Sequence, residues 1–188
     1  MRIGVTGTHG VGKTTLARRL SRKLGLPLIP EQARTVAEML KIKNADVLLK
    51  DKDRAKEFQI TVLFSQMGME EMFSSGFVSD RTTVDCLAYW KFYGLGSDLT
   101  GKIYKNKCLS QEYDIFVYVP IQSNSIKNDG FRDTDYKNAL AVDKIILDIL
   151  QRLSVPVVMV CGTVEERVDV VVDAIQQQQR KEKSICTF

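Results

Sequence analysis

The residues with the most specific chemistry lie close to the N-terminus. Gly7-Thr8-His9-Gly10-Val11-Gly12-Lys13-Thr14 meets the pattern G-x-x-x-x-G-K-S/T at every constrained position. Glycines at these positions let a loop wrap tightly enough for backbone N–H groups to point inward at phosphate oxygens. Lys13 is a mobile positive charge for the β- and γ-phosphates, and Thr14 offers a hydroxyl to magnesium. A helix starting beneath the loop adds its positive N-terminal end. The ligands expected are therefore a nucleoside triphosphate and Mg2+, held by Gly7, Thr8, His9, Gly10, Val11, Gly12, Lys13, Thr14 and the adjoining Thr15. Thr14 is the first metal-ligand candidate. His9, the sole histidine, occupies a free position of the motif. It reads as a bystander, with a general-base role as the alternative.

Such a loop serves GTPase switches as well as phosphotransferases, so the rest of the chain must decide. A switch needs a guanine-reading N-K-x-D, yet Asn106-Lys107 is followed by Cys108-Leu109. Asp98-Leu99-Thr100-Gly101 spells D-x-x-G without an apolar strand before it. A kinase needs a group for the acceptor hydroxyl, a carboxylate near the metal and cations over the transferring phosphoryl group. Candidates for these roles lie at the ends of apolar runs: Glu31 after the second, Asp80-Arg81 after the third, and Arg132 beyond the fourth. In an open parallel sheet ligands bind outside the carboxyl ends of the strands. These positions would then converge on the phosphate loop. Glu31 could accept the proton of a hydroxyl or hold it by a hydrogen bond. Asp80 could take a magnesium-coordinated water or a ribose hydroxyl, and Arg81 and Arg132 could neutralise phosphate oxygens. Glu31 also reads as an acid satisfying a helix N-terminus. The catalytic set expected is Lys13, Glu31, Asp80, Arg81 and Arg132.

Apolar runs and helical spacings alternate through the chain and position these groups. Strands are expected at 3–5, 26–29, 76–79, 115–119 and 157–160, with Ile115-Phe116-Val117-Tyr118-Val119 the clearest. Helices are expected over 14–24, 32–42, 51–73, 84–92, 99–109, 136–153 and 164–178, followed by a polar tail from about 179. Near-continuous apolar strands separated by helices indicate a parallel sheet covered on both faces. The expected fold is α/β: a P-loop three-layer sandwich with a five-stranded parallel sheet and a lid, formed as one domain over 1–188. Tyr89, Trp90, Phe92 and Tyr93 cluster in one helix. They read as core, with stacking on an acceptor base as the alternative.

Three further segments, in order, carry a family resemblance: Ile29-Pro30-Glu31-Gln32-Ala33-Arg34, Val78-Ser79-Asp80-Arg81-Thr82 and Asn128-Asp129-Gly130-Phe131-Arg132-Asp133. They look like the P-E-x-A-R, strand-D-R and D-G-x-R segments of NadR-like ATPase/kinase domains. That group contains ribosylnicotinamide kinases and lies near the deoxynucleoside and thymidylate kinases. The resemblance runs from the phosphate loop to Gly162. It implies an ATP- and magnesium-dependent kinase acting on a nucleoside or nucleotide, with Glu31 by the acceptor. It also implies a lid over 129–133 that brings Arg132 to the ATP phosphates, and a Gly162-Thr163 turn near the adenine. The family's adenylyltransferase partner domain has no counterpart in this sequence.

Bulk properties narrow the alternatives. A net charge of +4 suits an anionic substrate without demanding nucleic acid. The basic cluster Arg18, Arg19, Arg22, Lys23 and the tail Arg180-Lys181-Glu182-Lys183 leave a polynucleotide end or a DNA base as an alternative acceptor. A non-catalytic ATP-binding regulator is the other alternative. No run approaches the roughly 20 apolar residues of a membrane helix, and the N-terminus shows no signal-peptide pattern, so no cleaved leader is expected. Cys86, Cys108, Cys161 and Cys186 form no C-x-x-C pair, which argues against zinc or a disulfide framework and for the cytoplasm. Oligomeric state stays open, a homodimer included.

Overall fold

Short β-forming runs bounded by Gly, Pro and Asp residues set the strands, and amphipathic stretches set the helices between them. In the computed structural model, residues 1–110, 112–121 and 136–185 are described, with the backbone alone beyond 180. The elements follow as β1 (Arg2–Thr6), α1 (Lys13–Leu24), β2 (Leu28–Ile29), α2 (Gln32–Met39), α3 (Asp46–Lys50), α4 (Lys52–Met72) and β3 (Phe77–Asp80). Then come α5 (Thr83–Phe92), α6 (Leu99–Leu109), β4 (Ile115–Tyr118), α7 (Tyr136–Leu150), β5 (Val157–Met159) and α8 (Val164–Ile185).

The five strands form one parallel sheet in the order β2-β3-β1-β4-β5. β1 is central, with Val5 opposite Asp80 of β3 on one side and Val117 of β4 on the other. The chain runs from β1 to the β2–β3 side and then crosses back to β4. The loop after β1 therefore sits where strand order reverses, which is the place where open α/β sheets leave a crevice.

Side chains alternate between the two faces of this sheet. Ile3, Val5, Val78, Ile115 and Val117 pack with Leu16 and Leu20 of α1 and Val171 of α8. Phe77, Phe116 and Tyr118 pack on the other face with α4, α5 and α7. Gly4 is needed on that second face: a Cβ there would lie 2.5 Å from Thr82 Cγ2 and 3.0 Å from the Tyr113 ring. The result is the expected α/β three-layer P-loop fold.

Several elements depart from the sequence expectation. β2 shrinks to two residues because Pro27 and Pro30 bracket it at the sheet edge. α3 was not expected; Asn44 Oδ1 accepts the Asp46 N–H at 2.9 Å and starts this short turn of helix. α8 continues to Ile185 where a polar tail was expected from 179, since Gln, Lys and Arg are good helix formers. The helix expected over 99–109 is met by α6, and the D-x-x-G segment is its start: Asp98 Oδ1 accepts the Gly101 N–H at 2.9 Å and caps it. Among the described residues no helix is long and apolar enough to cross a membrane. Cys86, Cys108 and Cys161 are free thiols.

A buried polar network fixes the junction of β3 and α5. Gln66 Nε2 donates to Glu70 Oε1 and to Ser79 Oγ, each at 2.8 Å, and the Tyr113 hydroxyl donates to Glu70 Oε1. The Thr83 N–H donates to the Tyr113 oxygen at 3.3 Å. Burial raises the Glu70 carboxyl above its ordinary 4.5, opposed by the Tyr113 and Gln66 hydrogen bonds and by the charge of Arg2. The fold thus favours protonated Glu70. That contribution is fully present below 4.5 and is lost as pH rises through the raised folded value. Glu70→Gln keeps an oxygen for both donors. Its urea midpoint should match wild type at about pH 4 and exceed it at about pH 8. Equal midpoints at both pH values would contradict this account of Glu70.

Candidate functional site

The phosphate loop joins β1 to α1. Gly7, Gly10 and Gly12 have φ of 137°, 76° and 91°, in the region that favours glycine. A Cβ on Gly7 would also run into the Val119 carbonyl. Gly12 is the N-cap of α1 and brings no side-chain cap to the first amides, which leaves them for an anion. Lys13 is 4% exposed, and its Nζ donates to the Thr8 carbonyl. Gly10, Gly12, Lys13, Thr14 and Thr15 line one cavity, together with Glu31 and Asp80. Val11 turns inward to the core, so it would meet a phosphate through its backbone alone.

Asp80 ends β3 beside β1 and is 2% exposed. Burial raises its carboxyl above the ordinary value; a hydrogen bond from the Thr14 hydroxyl and the charge of Lys13 act the other way. A hydroxyl and a carboxylate adjacent to the loop are the oxygen donors a hard divalent cation prefers, so this pair fits magnesium. Among the described residues no group of three or more His, Cys, Asp or Glu side chains is arranged to hold a metal. Phosphate oxygens and water would complete the shell.

Arg81 faces a second cavity. Its φ is +85°, a conformation a non-glycine residue adopts at a cost of order 1–3 kcal/mol. Arg81 Nε donates to Glu31 Oε1 at 2.7 Å, and its Nη1 donates to Asp85 Oδ1 at 3.2 Å. Its Cζ stands 5.5 Å from the centre of the Tyr89 ring. Asp85 Oδ2 in turn accepts from the Thr82 N–H and hydroxyl at 2.9 and 2.8 Å, closing the capping box of α5. Its two oxygens thus serve the helix start and the guanidinium separately. Arg81, expected on phosphate oxygens, is engaged here by two carboxylates and does not line the phosphate cavity. Arg132 and the expected lid at 129–133 lie outside the described residues.

Glu31, Arg81, Asp85 and His9 line the second cavity with Tyr89, Phe92 and Tyr93. The aromatic cluster therefore divides. Trp90 is buried and stacks on Tyr104 at 4.0 Å, as core, while the other three rings are half-buried and border the cavity. Glu31 alone among the expected carboxylates lines both cavities. Gly162, with φ +89°, and Thr163 border neither, but they sit against the loop through Arg167. Arg167 Nε donates to the Gly162 carbonyl at 2.9 Å and Nη1 to the Val11 carbonyl at 3.1 Å.

Sequence reasoning passed over Arg167 and Asp143. Tyr118 donates to Asp143 Oδ2 at 2.8 Å. Burial raises this carboxyl above its ordinary value, with Tyr118 and the neighbouring Thr8 backbone acting the other way. A signal for Asp143 existed: it lies on the buried stripe of α7 with Ala139, Val142 and Ile146. Arg167 had none, because its partners are backbone carbonyls more than a hundred residues apart in the case of Val11.

Removing Arg81 would leave Asp85 buried without its cation and Glu31 with Arg34 alone, at 4.0 Å. Arg81→Met is expected to lower unfolding free energy by about 3–5 kcal/mol in urea titration. A loss near that of an exposed ion pair, below about 1 kcal/mol, would contradict the geometry.

The completed fold and site can be set beside known proteins. Deoxyadenosine kinase from M. mycoides with bound dATP superposes with a TM-score of 0.71 and 18% identity, covering 94% of this chain and 100% of that one. NadR in complex with NR gives 0.67 and 20%, covering 91% of this chain and 50% of the NadR chain. YorR from Bacillus subtilis gives 0.52 and 12%, covering 96% and 98%. At these identities the likeness establishes the fold, and NadR among these structures agrees with the resemblance read from the three short segments. No curated protein matches the sequence. The model of a family described as AAA domain matches residues 2–167. The chain belongs to this AAA domain family and has the P-loop fold seen in nucleoside kinases.

Proposed function

We propose that the protein transfers the γ-phosphoryl group of ATP to a hydroxyl of a nucleoside or nucleotide, in the cytoplasm. The observation that carries this reading is that Glu31 borders both cavities. One is walled by a phosphate loop and the other by aromatic rings, so a donor and an acceptor would meet at this carboxylate. A simple ATPase or regulator has no need of the second, largely apolar cavity. The deoxyadenosine kinase and NadR likenesses support the same class of acceptor.

In this reading the loop amides and the first turn of α1 hold the triphosphate. Lys13 exchanges the Thr8 carbonyl for phosphate oxygens. Thr14 and Asp80 would hold Mg2+, which when bound would supply positive charge against the phosphates. The acceptor oxygen forms a bond to the γ-phosphorus as the bond to the β–γ bridging oxygen breaks, and ADP leaves. The hydroxyl proton passes to the Glu31 carboxylate, which Arg81 holds at 2.7 Å. The role of Arg81 is to fix that carboxylate, and Arg132 remains the proposed cation for the ATP phosphates. The Gly162-Thr163 turn remains the proposed neighbour of adenine.

The charges favour a nucleoside over a monophosphate acceptor. Among the described residues the second cavity carries the carboxylates of Glu31 and Asp85 against the guanidinium of Arg81. A phosphomonoester dianion would meet two carboxylates there, with Arg81 already engaged by both. The exposed Arg18 and Arg19 lie on α1 outside this cavity, so nothing in it selects a polynucleotide.

Lys13→Ala should lower turnover about a hundredfold or more, on the scale of losing one transition-state donor. Glu31→Gln should lose phosphoryl transfer while binding ATP as wild type does. Both are read by ADP release with deoxyadenosine, deoxycytidine, thymidine or ribosylnicotinamide as acceptor. Near-wild-type turnover in either variant would overturn the assignment.

A further inference from the structure

The backbone of His9 belongs to the phosphate loop, but its side chain does not follow its neighbours. Gly10, Gly12, Lys13, Thr14 and Thr15 border the phosphate cavity, whereas His9 borders the aromatic cavity with Glu31, Arg81 and Tyr89. The residue is 5% exposed, and its Nδ1 lies 3.5 Å from the Tyr89 hydroxyl, the tautomer deciding which group donates. Tyr89 also receives the Arg81 guanidinium over its ring at 5.5 Å. A connected row of polar groups, His9, Tyr89, Arg81 and Glu31, therefore runs from the donor loop into the acceptor cavity.

We propose that His9 is an acceptor-positioning residue: its imidazole, oriented by Tyr89, seats the phosphoryl-accepting end of a hydroxyl-bearing substrate. This rests on the kinase reading above. For transfer, the reacting oxygen must come within roughly 3–3.5 Å of the γ-phosphorus. The accepting end of the substrate must then reach the donor loop from the aromatic cavity. His9 is the loop side chain on that route. An imidazole can both donate and accept there, which suits a neutral alcohol. The motif leaves this position free, so phosphate binding does not explain why its side chain points away from the phosphates.

The test separates donor from acceptor. Deoxyadenosine, deoxycytidine and ribosylnicotinamide are assayed separately as acceptors with the full-length wild type, His9→Ala, His9→Asn and Tyr89→Phe. ATP affinity is measured without acceptor in the same preparations. His9→Ala should raise acceptor KM about tenfold, the loss of one hydrogen bond's worth of binding, with ATP affinity within about twofold of wild type. His9→Asn, which retains a polar donor and acceptor, should recover most of the effect. Tyr89→Phe should move acceptor KM in the same direction and combine non-additively with His9→Ala. Unchanged acceptor KM in an active His9→Ala overturns the proposal. So does a loss of ATP affinity in that variant, which would return His9 to the donor loop. A wild type that binds ATP yet phosphorylates none of the three overturns the kinase reading and this inference with it.

Discussion

The guanidinium of Arg81, buried between Glu31 and Asp85, is the contact on which the rest of the site depends. Burying two carboxylates and a cation is unfavourable unless each is paired and hydrogen-bonded. Here the pairing is shared among elements that are far apart in sequence. Glu31 follows β2, Arg81 follows β3, and Asp85 lies in the first turn of α5. The ion pairs therefore tie the edge of the sheet to the helix that forms the aromatic wall. The strained φ of Arg81 becomes tolerable because three surrounding features specify it: the pair with Glu31, the pair with Asp85 and the neighbouring capping box. Below this junction, Glu70, Gln66 and Tyr113 hold Ser79 and Thr83, the residues on either side of Asp80 to Thr82.

On the donor side the constraints are of another kind. Phosphate recognition is local, because a short loop and the helix after it supply most of the donors. The loop is nevertheless braced from outside its own segment. Val119 leaves no room for a Cβ at Gly7, Asp143 lies beside the Thr8 backbone, and Arg167 holds the Val11 carbonyl. The residue after β4, α7 and α8 thus each brace a loop that the motif alone describes.

This division explains what could be read from the residues and what could not. The loop at Gly7 to Thr14 was legible because its pattern is written in consecutive positions. The placement of Asp80 and Glu31 at the same cavity was legible because parallel strands end on one side of the sheet. The alternation of apolar runs was enough for five parallel strands between helices. Arg81 was placed correctly at a strand end, but its partners were not foreseeable, since ion-pair geometry depends on the sheet order. Tyr89, Phe92 and Tyr93 have the composition of core residues, and only the packing of α5 against α4 and α7 separates cavity wall from core. α3 escaped because a five-residue helix leaves no periodic pattern to detect. α8 outran its apolar stripe because helix propensity carries it on after burial ends.

The central claim is that two cavities joined at Glu31 bring a donor phosphate and an acceptor hydroxyl together. Phosphorus NMR of the wild-type protein with ATP, Mg2+ and a mixture of nucleosides tests this most directly. The account predicts that the γ-phosphate signal is replaced by that of a nucleoside phosphomonoester as ADP accumulates. Appearance of inorganic phosphate in its place, at the same rate with and without nucleosides, would contradict it.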